Sequence, residues 1–215
     1  MVVWDPPIRD YQFLYHELLP AIETVQRLGY TDFNADFLDS LIEGWATHCE
    51  EVWLPINQLG DREGLKFEDG KITMPQEFKD AYRKGIDEGW LSTTCELEHG
   101  GMGVPLFFQA VTWAEFGTSA CMALSVLPAL SIGVYEVLVK HGRQDLIDYF
   151  ATNLASGEWS GTMCLTEPHA GTDLGIIATK ANPQEDGTYR LSGSKCFITY
   201  GEHDMAENKI GRAHV

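Results

Sequence analysis

The chain has 215 residues, 44% of them hydrophobic and 22% charged, an ordinary globular composition with enough apolar material for a core. A formal net charge of -17 sets it against nucleic acid, because a phosphate backbone would be repelled and no basic stripe interrupts the acidity. Five widely spaced cysteines without a CxxC pair argue against a disulfide framework or a metal site, and the sequence shows neither an unbroken apolar run of roughly 20 residues nor a secretory signal, so a soluble cytoplasmic protein is expected.

From Asp10 to Gly29, apolar residues recur at Phe13, Leu14, Leu18, Ile22 and Val25, the period of a helix, with Pro20 as a kink or break. A second helix is predicted from Asp32. Leu38, Leu41, Ile42, Trp45, Val52 and Trp53 form its inward stripe, its acidic residues face solvent, and Pro55 marks an end or a break. LGDREGLKFEDGKITMP, rich in glycine and charge, reads as an excursion or short hairpin. PQEFKDAYRKGIDEGW then starts another helix, with Pro75 at its first turn. CELEHGGMGVPL is a Gly-rich loop shaped in part by His99; it lacks the Lys-Ser/Thr of a P-loop and the strand that precedes a dinucleotide fingerprint. From Phe107 to about Ala155 the chain is long, apolar and helical, as suits the centre of a bundle, where Cys121 acts as a small hydrophobe. After Gly157 the character changes. EWSGTMCLTEP, IIATKANP and TYRLSGSKCFITYG, with turns at Gly171, Asp186-Gly187 and Gly193, read as short strands.

The predicted fold class is therefore α+β. Residues 1–33 form an amino-terminal extension helix, 34–157 a helical domain and 158–209 the start of a β domain, with 210–215 a separate tail. CLTEPHAGTD at Cys164–Asp173, followed by KCFITYG at Lys195–Gly201 and preceded by a helical domain, resembles the amino-terminal and middle domains of the acyl-CoA dehydrogenase family. The resemblance runs from Pro7 to Asn208. PPIRDYQFLYHELL and GEHDMAEN are similar to a branch that includes dehydrogenases of 3-(methylthio)propanoyl-CoA and of broader fatty acyl-CoA substrates. It implies a truncated form of the family fold, with the first strands of a β-barrel-like middle domain. It also implies FAD as cofactor and α,β-dehydrogenation of an acyl-CoA to a trans-2-enoyl-CoA, as in fatty acid β-oxidation. Electrons would pass to an electron-transfer flavoprotein or similar acceptor, and the full-length enzyme would be a homo-oligomer. The glutamate base is expected in a carboxy-terminal helical domain beyond this chain, so no catalytic residue is assigned within it.

An isoalloxazine ring needs an apolar wall, with donors at the edges where charge develops on reduction. By the resemblance, Thr166 and Thr199 donate hydroxyls to the flavin, and Met163 and Leu165 offer backbone or edge contacts. Gly171 with Thr172 forms a turn over the pyrophosphate or substrate, and Phe197 keeps an aromatic wall where the family commonly has tryptophan. Strand alternation would point Met163 and Leu165 one way and Thr166 the other, so some of these must act through backbone groups. Glu167, followed by Pro168, is expected to accept from backbone N–H groups rather than act as a base; His169 and His203 have no partner at triad or metal spacing. The rival readings are an acyl-CoA oxidase or flavin monooxygenase on the same scaffold, and a non-catalytic helical binding protein. Gly211, Arg212 and His214 in the tail IGRAHV do not suit a central strand. One frame of a common sequencing adapter encodes the same string, so Ile210 to Val215 are expected to be foreign to the natural protein and are not offered as ligands.

Overall fold

Pro20 breaks the first predicted helix. In the computed structural model, which describes residues 4–213 and side chains through residue 207, α1 (Ile8–Gln12) runs into a π-helical turn over Phe13–Leu18. The chain becomes extended at Leu19, and α2 (Ala21–Arg27) starts after the proline. α3 (Ala35–His48) begins later than Asp32, because Asn34 is extended and its side chain accepts from Phe37 N–H at 2.9 Å, an N-cap. Pro55 does not end this helix. A π-helical turn over Cys49–Trp53 comes first, and α4 (Leu54–Glu63) carries the proline in its opening turn, where a missing N–H is tolerated. Most of the expected inward stripe is buried, with Val52 half-buried.

The Gly- and charge-rich stretch divides between elements. Residues 59–63 stay helical, while β1 (Lys66–Glu68) pairs antiparallel with β2 (Lys71–Thr73). Asp69 and Gly70, both at positive φ, make the tight turn between them. α5 (Gln76–Asp87) follows with Pro75 as its N-cap and buries Phe78, Ala81 and Tyr82. In the Gly-rich loop, a side chain on Gly101 would fall 2.1 Å from the Cys95 carbonyl oxygen, so only glycine fits there.

α6 (Leu106–Phe108), a π-helical turn over Gln109–Trp113 and α7 (Ala114–His141) form one rod, against which α8 (Gln144–Ala155) packs. By length and composition this rod is apolar enough to cross a bilayer. The sequence reading missed that because it looked for an unbroken apolar run, whereas the rod admits Glu115 and scattered serine and threonine. Its inward face places Phe108, Trp113, Phe116, Leu124 and Leu127 in the core. The rod is also interrupted. Cys121 is extended (φ -155, ψ 90), which puts a kink between two helical pieces of α7. At the centre of the core, Trp45 stacks on Trp113 at 5.0 Å, meets Trp53 edge-on at 4.9 Å and donates its indole N–H to the Trp113 carbonyl. All five cysteines are free thiols; Cys49, Cys95 and Cys121 are buried and Cys164 and Cys196 half-buried.

β3 (Trp159–Cys164) lies on α7. Gly161 makes that approach possible, since a Cβ there would fall 2.6 Å from a Val134 methyl, and its N–H donates to Ser131 Oγ at 3.0 Å. β4 (Lys180–Pro183) and β5 (Tyr189–Ser192) form an antiparallel hairpin on the surface, and β3 pairs in parallel with β6 (Asn208–Ala213). The described residues thus hold three two-stranded sheets, with no closed barrel among them. KCFITYG departs from expectation. It forms no strand, because Phe197 (φ 57) and Tyr200 (φ 52) both adopt left-handed conformations that break an extended run. In the tail, the backbone of Gly211 stands opposite Thr162 and that of Arg212 opposite Met163, on a strand with one partner among the described residues. The side chains of the tail, and His214 and Val215 altogether, lie outside the described residues.

Candidate functional site

β3 serves as a rack for the segment that failed to become a strand. Thr162 Oγ1 donates to the Thr199 carbonyl at 2.6 Å, and Ser160 Oγ lies 3.0 Å from His203 Nε2. Just past the strand, Cys196 N–H donates to the Thr166 carbonyl at 2.9 Å, and Lys195 Nζ to that of Leu165 at 3.0 Å. These bonds replace the missing ladder and lay residues 195–203 along β3 and its extension.

Met163, Leu165 and Thr166 are thereby brought beside the segment that carries Phe197 and Thr199. β3 stops at Cys164, so the alternation argument reaches Met163 but not Leu165 or Thr166, which follow the strand's end. The strip is open to solvent: Phe197 is 88% exposed, and Met163 and Ile198 are exposed too. Neither Thr166 nor Thr199 uses its hydroxyl in a hydrogen bond among the described residues. Gly171 and Thr172 lie exposed in the loop beyond Ala170, and no hydrogen bond among the described residues joins them to the strip.

Glu167 holds that loop in place. Its buried carboxylate accepts from Lys195 Nζ at 2.8 Å, from Ala178 N–H at 2.9 Å and from Thr179 N–H at 3.0 Å. Lys195 first, and these backbone donors with it, hold the carboxyl well below the usual range. This is the structural acceptor expected of it, and a carboxylate so stabilised in its ionised form is a poor base. A carboxyl depressed by folding contributes stability above its unfolded pKa of about 4.3 and loses it as pH falls toward the folded value. Glu167→Gln is thus expected to lower the melting temperature by about 5 °C at pH 7 and by clearly less at pH 3. A gap of equal size at both pH values in thermal unfolding scans would refute this assignment.

The histidines near the strip and in the Gly-rich loop each have a polar neighbour. Met205 N–H donates to His203 Nδ1 at 3.2 Å, so Nε2 carries the proton and donates to Ser160 within a buried pair. His169 Nε2 lies 3.2 Å from the Ile176 carbonyl, and His99 Nδ1 lies 2.7 Å from the Tyr135 hydroxyl. His99, Glu96 and Glu98 bring ligand-type atoms within 4.8 Å of one another, but both carboxylates are exposed on a surface loop.

Sequence reasoning missed a cavity of about 820 Å³ between α4, the β1–β2 hairpin, α5 and the 198–202 turn. Asn57, Asp61, Met74, Phe78 and Ala123 line it opposite Thr199 and Tyr200. Two long-range ties close this wall. Tyr200 donates its hydroxyl to the Ala123 carbonyl at 2.5 Å, and Asp204 accepts from Met74 N–H at 2.9 Å and from Lys79. A tyrosine and an aspartate in a loop carry no sequence signal that names partners so far away.

Residues 61–158 match the family model described as acyl-CoA dehydrogenase, N-terminal domain. Over 211 residues the chain is 38% identical to 3-methylmercaptopropionyl-CoA dehydrogenase of Ruegeria pomeroyi, a match covering 97% of this chain and 35% of that protein. The chain spans about a third of the length of the curated relatives it matches. Butyryl-CoA dehydrogenase of Megasphaera elsdenii superposes with a TM-score of 0.62 at 24% identity, over 79% of this chain and 42% of that one. An acyl-CoA dehydrogenase of Bacillus anthracis complexed with FAD gives 0.62 at 22% identity, over 78% and 27%. At these identities the two structures speak for the fold alone.

Proposed function

We propose that this chain, which belongs to the acyl-CoA dehydrogenase family as its amino-terminal region, supplies the flavin-facing strip of an enzyme that converts an acyl-CoA thioester to a trans-2-enoyl-CoA. The observation that carries the reading is the strip itself. Exposed Met163, Phe197 and Ile198 stand beside the unused hydroxyls of Thr166 and Thr199, an apolar surface edged by donors that suits a planar isoalloxazine ring. FAD, when bound, would accept the hydride that leaves the acyl β-carbon.

The chain's own residues then bind and orient. Thr166 and Thr199 donate to the ring edge where negative charge develops, Met163 and Leu165 contribute backbone or edge contacts, and Phe197 gives an aromatic wall. Gly171 and Thr172 offer an exposed turn to the pyrophosphate or the substrate. The α-proton falls to a carboxylate in the part of the relatives' length that this chain does not span. Glu167, already bonded to Lys195 and two backbone donors, does not fill that role. We assign the electrons to an electron-transfer flavoprotein or similar acceptor, the full-length enzyme to a homo-oligomer and the reaction to the cytoplasm. The name of the Ruegeria relative favours a methylthio-substituted acyl chain and a dehydrogenase over an oxidase.

The test has two arms. Anaerobic addition of acyl-CoA to the full-length enzyme is expected to bleach its oxidised flavin absorbance, and a flavin left oxidised by every acyl-CoA tried counts against the reading. The 215-residue chain alone, which offers FAD one open strip, is expected to bind it weakly or not at all. Purification of that chain as a yellow monomer with stoichiometric FAD would show that it needs no further part of the fold.

A further inference from the structure

The turn that presents Thr199 is held from the helical layer, and the residue that holds it is Tyr200. Its backbone is left-handed (φ 52), a conformation that favours glycine or asparagine and is strained for an aromatic residue. Something must compensate. The phenol reaches across to α7 and donates to the Ala123 carbonyl at 2.5 Å, two residues past the break at Cys121. Its ring meets the buried His203 ring edge-on at 5.6 Å, so the side chain is fixed along its length. Burial, then Cys121, pushes the phenol up to about 12, which keeps it a donor through the neutral range.

On the other side of the same turn, Thr162 takes the Thr199 carbonyl. Thr199 is therefore gripped between β3 and the second piece of α7. The break at Cys121 sets where that second piece begins, and so where the Ala123 carbonyl stands. We propose that Tyr200 is a positioning residue: its hydroxyl, anchored on Ala123 beside the α7 break, sets the Thr199 turn against the helical layer and closes that wall of the cavity. What Thr199 faces rests on the flavin reading above. The anchor itself does not.

Amide hydrogen exchange of the 215-residue chain without flavin tests it, comparing wild type, Tyr200→Phe and Tyr200→Ala. Phenylalanine keeps the ring against His203 and removes the hydroxyl alone. Exchange of the Gly201 and Cys196 amides, which donate to the Ile198 and Thr166 carbonyls, is expected to rise about five- to tenfold in Tyr200→Phe, with a parallel rise near residues 122–127, while α3 and α5 keep their protection. Tyr200→Ala should be at least as fast. If the side chain merely filled space, phenylalanine would restore wild-type exchange where alanine does not, and that rescue overturns the proposal. Acceleration spread equally through α3 and α5 overturns it too, since it marks a general loss of stability. Because no flavin is present, these outcomes stand whether or not the chain's relatives lend it their cofactor.

Discussion

Trp45→Ala is expected to destabilise the chain by about 3–5 kcal/mol, the range for removing a large aromatic from a packed core. Trp45 is fully buried and touches three other tryptophans: stacked on Trp113, edge-on to Trp53, and tilted against Trp90 at 5.4 Å. Alanine would leave a void at the crossing of α3 with the 109–113 turn. It would also strip the indole donor from the Trp113 carbonyl, a second loss of about 1 kcal/mol or more for a buried acceptor. A typical domain has only about 5–15 kcal/mol in hand, so the variant should unfold at markedly lower urea concentration and lose its near-ultraviolet circular dichroism. A midpoint close to wild type would mean that the surrounding rings collapse into the void.

In the full-length enzyme, Thr199→Val and Thr166→Val are each expected to lower kcat by about 100-fold, the scale seen when a donor to a developing anion is removed. Folding stability should change by less than about 1 kcal/mol, since neither hydroxyl bonds to anything among the described residues and valine matches threonine in shape. That pairing of effects is the discriminating feature. An interaction realised only in the transition state lowers kcat and kcat/KM together, while a packing role would show in the melting curve. Unchanged turnover and flavin spectrum in both variants would remove these threonines from the site.

The helical layer was largely legible in the sequence. Its residues repeat with the helical period, and the period alone says which face is inward, as Leu38, Leu41, Ile42 and Trp45 show. Pro20 broke a helix as read. Pro55 did not, because a π-helical turn immediately upstream absorbs the lost hydrogen bond, and nothing in CEEVW announces such a turn. Glu167 was legible from its place before a proline and a turn. The strip was legible only through motif resemblance, since Thr166, Phe197 and Thr199 have no local pattern that points to a ligand. KCFITYG misled for a physical reason: its β-branched and aromatic residues score as a strand, yet two left-handed residues stop the ladder, and the Thr162 side chain of β3 and the Ala123 carbonyl of α7 hold the segment instead.

The way the cavity wall is tied has a kinetic corollary. Tyr200 reaches Ala123 across 77 residues of chain, Asp204 reaches Met74 across 130, and Tyr82 reaches the Gly157 carbonyl across 75. Closing such long loops costs entropy before any contact rewards it, whereas the helices rely on neighbours a few residues away. Single helices should therefore form early, while the helical core, where Trp45 reaches Trp113 across 68 residues, and the Thr199 turn both wait for long-range closure. Until that late step the open face of the scaffold is bare apolar surface, and the interval before it closes is when a crowded solution would most readily draw the chain into aggregates.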